Sequence, residues 1–344
     1  IIMQFLLGCY PGLKFGLRIV GIKILKEVLI SFKTVERFWM ESNLHFTVMK
    51  QEAVKNLKIK NNGIYLDATL GMGGHTEEIS NTKKNINKII CIDNDLSSIE
   101  LAKIRLKKSR TKIEFICANF KDIDKVIKEK VDGVILDLGI STYQLLNSKR
   151  GFSFNGNNKL DMRINLKQKL TADKIVNSYS VKEISDLLKK YGEEKNHFKI
   201  ASEIVRYRSK KKISTCEDLS EIINKINKNK SNINPSTRTF QALRIAVNKE
   251  LDAIEEFLEK SEKILNIGAR LVIITFHSLE DRIVKRFFKS SESKCICPPT
   301  QLICDCKKKQ TFKVINKKPI RPTEQEILLN PSSRSAKMRI GEAI

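Results

Sequence analysis

Tyr65-Leu-Asp-Ala-Thr-Leu-Gly-Met-Gly-Gly-His75 decides how this chain folds. An apolar run, Ile64 to Leu66, enters a tight glycine turn, and the residues from Thr76 onward read as helix. A second strand, Lys88 to Ile92, ends in Asp93, about 20 residues beyond the turn. Strand, turn, helix, strand and acid form the layout of a nucleotide-cofactor site on a doubly wound sheet. The glycines let backbone approach a ligand, and the acid at the end of the second strand can hold a ribose hydroxyl. Gly71, Gly73 and Gly74 are present, but no glycine opens the helix where the third of a dinucleotide fingerprint belongs. Asp67, just before the turn, suits a cofactor with a cationic end, such as S-adenosylmethionine, better than one with a pyrophosphate.

Composition narrows the partners. Of 344 residues, 64 are basic and 39 acidic, a formal charge of +25. Such an excess predicts a polyanion, because each phosphate neutralised releases counterions. An AT-rich genome would also favour a chain rich in Lys, Asn and Ile. Four of the eight cysteines crowd into residues 295–306, which points to a reducing compartment and a metal rather than a disulfide framework.

Strand and helix patterns alternate from residue 40 onward. Strands are expected at Ile64–Leu66, Lys88–Ile92, Ile113–Cys117, Gly133–Leu136 and Arg270–Phe276, with helices such as Leu96–Lys107 and Phe257–Leu265 between them. That alternation predicts an α/β fold with a parallel sheet covered on both faces. The interval from Leu136 to Arg270 is too long for one crossover. It holds helical patterns at Ala172–Ser178, Val181–Tyr191, Phe198–Ser209 and Glu217–Lys228. The expected division is therefore a cofactor domain made of residues 40–145 and 241–344, with an inserted helical domain at 146–240. Residues 1–39 read as an N-terminal extension outside the fold. Lys14, Arg18, Lys23, Lys26 and Glu27 interrupt its apolar stretch, so no run reaches the roughly 20 residues of a spanning helix, and no membrane role is expected. The expected location is the cytoplasm, or an organelle matrix if those residues act as a transit peptide.

The remaining chemistry lies in short segments. Asp137, in Asp137-Leu-Gly-Ile-Ser141, stands just past the fourth strand, where ligands of open α/β sheets bind. It either faces the reacting centre or caps a helix. Phe152 and Phe154 share a face of an extended segment near Arg163, suiting a splayed base and its phosphate or else a simple core. Arg238, Gln241, Arg244 and Asn248 recur at helical spacing as one polar face. His277 faces the crevice or only orients its neighbours. Basic helices around residues 195–212 and the run Lys307 to Arg321 are candidate RNA-backbone surfaces. Cys295, Cys297, Cys304 and Cys306 form two Cys-x-Cys pairs with six residues between, open to a structural zinc, free thiols or a redox pair.

Taken in order, these segments resemble the bacterial ribosomal small-subunit methyltransferase H family. The matching motifs are Asp67-Ala-Thr-Leu-Gly-Met-Gly-Gly-His75, Asp137-Leu-Gly-Ile-Ser141, Arg150-Gly-Phe-Ser-Phe154, Leu160-Asp-Met-Arg163, Tyr191-Gly-Glu-Glu194, Phe240-Gln-Ala-Leu-Arg-Ile245, Phe276-His-Ser-Leu-Glu-Asp-Arg282 and Asn330-Pro-Ser-Ser-Arg-Ser335. The likeness runs from about His45 to Ile340. It implies a class I S-adenosylmethionine-dependent methyltransferase domain with an inserted helical domain. The implied activity is methylation of the N4 amine of a cytidine in the decoding region of 16S ribosomal RNA, on free RNA or on a 30S particle. Implied cofactor contacts are Gly73, Gly74, His75, Asp93, Phe120, Asp137 and Gln144. Asp137 is the expected catalytic residue, and Phe152, Phe154, Arg163, Arg244 and His277 are expected to meet the RNA. Thr142 stands where the family usually has serine, and Thr47 precedes Val48 where proline is common. Neither removes a group that the chemistry needs.

Three other classes share parts of this pattern. A dehydrogenase would use the same turn but lacks an evident acid–base set. A non-catalytic RNA-binding protein would not need Asp67, Asp93 and Asp137 together. A methyltransferase acting on DNA or another amine differs only in its substrate. Composition and spacing leave oligomeric state open.

Overall fold

A computed structural model describes residues 47–141, 144–145, 149–154, 157–227, 234–295, 297, 303 and 305–344. The expectations for residues 1–39, Thr142 and Cys304 fall outside the described residues.

The sheet follows from alternation along short apolar strands. Strands β1 (Ile64–Asp67), β2 (Lys88–Asp93), β3 (Ile113–Cys117), β4 (Val131–Asp137) and β5 (Leu265–Thr275) are parallel. With β6 (Phe312–Val314) and β7 (Lys337–Ala343) they lie in the order β3-β2-β1-β4-β5-β7-β6. Only β7 runs against its neighbours β5 and β6. Successive residues of a strand point to opposite faces, and two separate cores result. Leu66, Ile90, Val134, Leu136, Leu271 and Ile273 face one core. Tyr65, Ile89, Cys91, Ile135, Val272 and Ile274 face the other. The second core is closed by helices α1 (Lys50–Leu57), α2 (Gly74–Ser80) and α3 (Leu96–Arg105), through Leu57, Ile79 and Ala102. The first is closed by α4 (Ile123–Val126) together with two later helices described below.

Between β4 and β5 the chain leaves the sheet and forms α5 (Ala172–Ser178), α6 (Val181–Gly192), α7 (His197–Arg208), α8 (Cys216–Ile226) and α9 (Thr237–Asn248). Capping boxes start α6, at Ser180 and Glu183, and α8, at Thr215 and Asp218. These helices bury a third apolar cluster of their own, including Ile184, Leu188, Ile204, Leu219 and Leu243. The cluster extends to Val247, so the whole of α9 packs with these helices. The chain then rejoins the sheet through α10 (Glu250–Ile264). Phe257 of α10 and Val284 and Phe288 of α11 (Ser278–Glu292) complete the first core. A short helix α12 (Glu324–Leu329) precedes β7. Among the described residues, no helix is long and apolar enough to cross a membrane.

Three expected boundaries shift. β5 begins at Leu265, where a helix was expected to end, because Val131 and Gly133–Asp137 offer it an extended parallel partner. The expected helix from Phe257 begins earlier, at Glu250. The helix from Leu96 ends at Arg105 and tightens into a 3₁₀ turn over Leu106–Lys108.

One glycine ties the helical cluster together. Gly151 has φ 76°, and a Cβ there would lie 2.2 Å from the Lys159 carbonyl oxygen and 2.9 Å from Cys216 Sγ. Gly151→Ala is expected to remove about 2–4 kcal/mol of unfolding free energy, from left-handed strain plus the clash. Urea denaturation checks this, and an unshifted midpoint would mean that the turn is not packed as described.

Candidate active site

The order of strands reverses between β1 and β4, which opens a crevice beyond their carboxyl ends. The turn after β1 is stitched to both neighbours. Ala68 N–H donates to the Ile135 carbonyl at 2.9 Å, and Leu70 N–H donates to that of Ile92 at 2.9 Å. Gly71 and Gly73 have φ 52° and 79°, which favours glycine. The two differ in surroundings. A Cβ on Gly71 would find nothing nearer than 3.9 Å, whereas one on Gly73 would press on Leu106 and Ala102. A Cβ on Gly74 would lie 1.8 Å from Thr47 Oγ1. Packing alone therefore demands glycine at 73 and 74, so any ligand contact there is through backbone.

Three aspartates end adjacent strands. Asp67 is fully buried, accepting the Thr76 hydroxyl at 2.7 Å and Thr69 N–H at 3.3 Å. This corrects the expectation that it meets a cationic ligand, because its carboxylate instead clamps the turn to α2. Asp93 lies closer to the surface. Its Oδ2 accepts Gly71 N–H at 2.8 Å and its Oδ1 accepts Asp95 N–H at 2.8 Å, which leaves lone pairs on both oxygens. Burial pushes its carboxyl up to about 6, against the pull of those two N–H groups and with the charges of Asp95 and Asp67 adding to the rise. Asp137, at the end of β4, lies 3.3 Å from His75 Nε2 through Oδ2. Its backbone N–H donates to Thr69 Oγ1 at 2.7 Å. Asp137 Oδ1 and His75 Nδ1 are buried and have no hydrogen-bond partner among the described residues. Burial raises the Asp137 carboxyl, partly offset by His75. Burial works against protonated His75, but the bond and charge of Asp137 outweigh it and raise the imidazole.

Asp95 was not singled out by the sequence reading, yet it organises this rim. It caps α3 through Ser97 N–H at 3.1 Å. It also receives the Arg150 fork at 2.8 and 3.3 Å and Gln144 Nε2 at 3.0 Å. Burial opposes its ionisation, but Arg150, Ser97 and Gln144 together hold its carboxyl below the usual range. The signal available was an aspartate directly before a helical run, the pattern of an N-cap. Gln144, expected to touch cofactor, spans from Asp95 to Ser141 N–H, which its Oε1 accepts at 3.1 Å. Phe120 packs edge-on against Phe257, with ring centroids 5.7 Å apart.

The residues expected to meet RNA are mostly engaged within the protein. Phe152 is buried in the helical core, which removes it as a stacking surface. Phe154 is partly exposed and meets Phe240 edge-on at 6.1 Å. Arg163 forks onto Asp161 and donates to the Leu166 and Gln168 carbonyls. Arg244 forks onto Glu250 at 2.9 to 3.2 Å. Gln241 and Asn248 likewise bind the carbonyls of Tyr191 and Met162. Gln241, Arg244 and Asn248 of α9 therefore form an internal seam, whereas Arg238 on the same face is exposed. His277 caps α11, accepting Glu280 N–H at 3.4 Å, and its Nε2 lies 3.1 Å from Glu280 Oε1. Of its two readings, the orienting one matches this geometry. In the helical cluster Arg206 pairs with Glu203, and Arg208 donates to the Val176 and Tyr179 carbonyls. The Arg208 guanidinium is thus engaged within the fold, whereas that of Arg206 is exposed. Lys307, Lys309, Lys313, Lys317, Lys318 and Arg321 are exposed too. Cys295, Cys297 and Cys306 lie close together beside that run.

A family model described as the MraW methylase family matches residues 42–344. Curated relatives include the ribosomal RNA small subunit methyltransferase H of Caldicellulosiruptor saccharolyticus, 44% identical over 305 residues, covering 87% of this chain and 99% of the relative. The protein of the same description from Clostridium botulinum strain Kyoto is 47% identical over 302 residues, 86% of this chain and 97% of the relative. A solved rRNA methylase from Streptococcus thermophilus aligns more loosely, at 12% identity and a TM-score of 0.38, over 86% of this chain and 93% of its own.

Asp93 gives a pH test of the crevice. An unfolded aspartate titrates near about 3.9, whereas burial pushes Asp93 up to about 6 in the fold. Between those values the folded chain binds more protons than the unfolded one, so this group's contribution makes stability fall as pH rises through the window. Asp93→Asn should flatten that slope, by no more than about 3 kcal/mol across the window. Urea unfolding at several pH values checks it. Identical slopes in both proteins would show that Asp93 titrates as an ordinary surface acid.

Proposed function

The chain belongs to the MraW methylase family, and on that premise we propose that it transfers a methyl group from S-adenosylmethionine to the N4 amine of a cytidine in the decoding region of small-subunit ribosomal RNA. The observation that carries this reading is the unpartnered Asp137 Oδ1, buried beside His75 at the strand-order reversal. A buried acceptor without a donor is costly. An exocyclic amine has two N–H groups to offer it.

The residues at hand fit the cofactor. Asp93 keeps lone pairs for ribose hydroxyls, Gly71 faces open space, and Phe120 offers an aromatic edge nearby. Backbone at Gly73, Gly74 and His75 and the Gln144 bridge complete the proposed cradle. When bound, S-adenosylmethionine supplies a methyl group already activated on a sulfonium, so the protein's task is mainly alignment. In the proposed step Asp137 Oδ1 accepts one N–H of the cytosine amine and turns its lone pair out of the ring. His75 holds the Asp137 carboxylate in place through the other oxygen. The amine so oriented would take the activated methyl group, and the nitrogen would give up one proton to water. Attack comes from the exocyclic nitrogen, so no cysteine nucleophile is required.

For RNA, we place recognition on the inserted helical domain and on the exposed basic run that ends in Arg321. The free subunit RNA and the assembled 30S particle both offer the backbone that such a run would meet.

The direct test is mass spectrometry of small-subunit RNA methylated by the purified chain with labelled cofactor. The expected product is N4-methylcytidine, and Asp137→Ala should lower the single-turnover rate by at least about 100-fold, the scale of a lost general-base or alignment group. Label on a ring carbon or on another base would refute the proposed amine chemistry. A near-wild-type rate for the variant would remove Asp137 from the step.

Neutralising Lys313, Lys317, Lys318 and Arg321 together should weaken RNA binding. Each lost phosphate contact should also reduce the slope of log affinity against log salt by about 1. A slope equal to wild type would take this run off the RNA.

A further inference from the structure

Beyond the crevice, three cysteine sulfurs converge past the end of α11. The Sγ atoms of Cys295, Cys297 and Cys306 all lie within 4.8 Å of one another. Cys295 and Cys306, eleven residues apart, have their sulfurs 3.8 Å from each other. A disulfide would bring them to about 2.05 Å, and neither is in a disulfide. Zinc–thiolate bonds of about 2.3 Å at tetrahedral angles separate neighbouring sulfurs by about 3.8 Å. The observed spacing, which the Cys306 thiol spans by donating to Cys295 Sγ, is one that zinc could occupy with little rearrangement. The Cys297 backbone N–H also donates to Cys295 Sγ at 3.3 Å, a bond that favours sulfur carrying negative charge. Thiolates are soft ligands, which select zinc over hard cations such as magnesium or calcium.

We propose that Cys295, Cys297 and Cys306 bind a zinc ion in a structural site separate from the Asp137 crevice. Each thiol that ligates gives up its proton to solvent, so binding is accompanied by proton release. The site joins the segment after α11 to the segment leading into β6. It thereby fixes the start of the basic run from Lys307 onward. No substrate and no redox partner is involved.

The test uses the full chain, purified under reductant without added metal. Elemental analysis should find about one zinc per chain, held by the three thiolates with solvent completing the tetrahedron. Exchange for cobalt should give the intense visible bands of tetrahedral thiolate coordination. C295S and C306S should each lose the metal while keeping affinity for S-adenosylmethionine, because neither touches the crevice. If a variant is insoluble, the cobalt spectrum of the unmodified chain decides instead. Failure to take up zinc or cobalt after reconstitution would overturn the proposal. So would zinc retained by the triple serine variant, or a Cys295–Cys306 disulfide trapped by alkylation of freshly lysed cells.

Discussion

The carboxyl ends of β2, β1 and β4 stand side by side, and each ends on an aspartate: Asp93, Asp67 and Asp137. Three acids at the floor of one crevice repel one another and resist burial. The surrounding structure divides them by partner. Asp67 is consumed by Thr76 and Thr69, and Asp93 grips the backbone of the glycine turn. Asp137 leans on His75 through one oxygen and keeps the other unpartnered. Three acids of one type thereby acquire different capacities: one fastens the turn, one can still accept from hydroxyls, and one awaits a donor.

The helical cluster depends on the same rim. Arg150 forks onto Asp95 and also donates to the Ile164 carbonyl, so one guanidinium links the cap of α3 to the segment leading into α5. Asn165 meets Asn94 alongside it. On the other side Glu193, just past α6, accepts from Ser278 and Arg282 at the start of α11. These contacts tie the cluster's position to the ends of the strands that carry the aspartates. Exposed ion pairs such as Glu193–Arg282 contribute little alone, whereas the Asp95–Arg150 fork is largely buried and geometrically specific.

What the sequence made legible follows from which forces leave a local trace. The turn at Gly71–Gly74, the acid Asp93 and the first four strands were readable because glycine placement and apolar alternation are local signals. β6 and β7 were not, because Arg339 and Lys337 break the apolar pattern of β7. In the fold, Arg339 is buried against Asp281 at 2.6 Å, a long-range pairing with no local signature. The same reason explains Gln144, whose partner Asp95 lies 49 residues away in the chain, whereas Arg163 and Arg244 look available until their near neighbours Asp161 and Glu250 are seen to claim them. Phe152 and Phe154, two residues apart, were indistinguishable by spacing. Only the third core separates them, taking Phe152 in fully and leaving Phe154 at its margin.

The last buried acid explains how Asp137 is tuned. Glu280 is almost wholly buried at the start of α11, where it accepts Phe276 and His277 N–H at 2.7 and 3.2 Å. Burial opposes its ionisation, yet His277 and Arg244 hold its carboxyl below the usual range. It is therefore a fixed anion near neutral pH, and its charge reaches Asp137 and adds to the rise that burial causes there. His75 pulls the other way by pairing with the ionised form. A carboxylate held between a fixed anion and an imidazole has a higher proton affinity than one on the surface, so it attracts an N–H donor more strongly. His277 and Arg244 act on the crevice in this indirect sense: they hold Glu280 ionised, and its charge adds the smaller part of the rise that burial causes in Asp137.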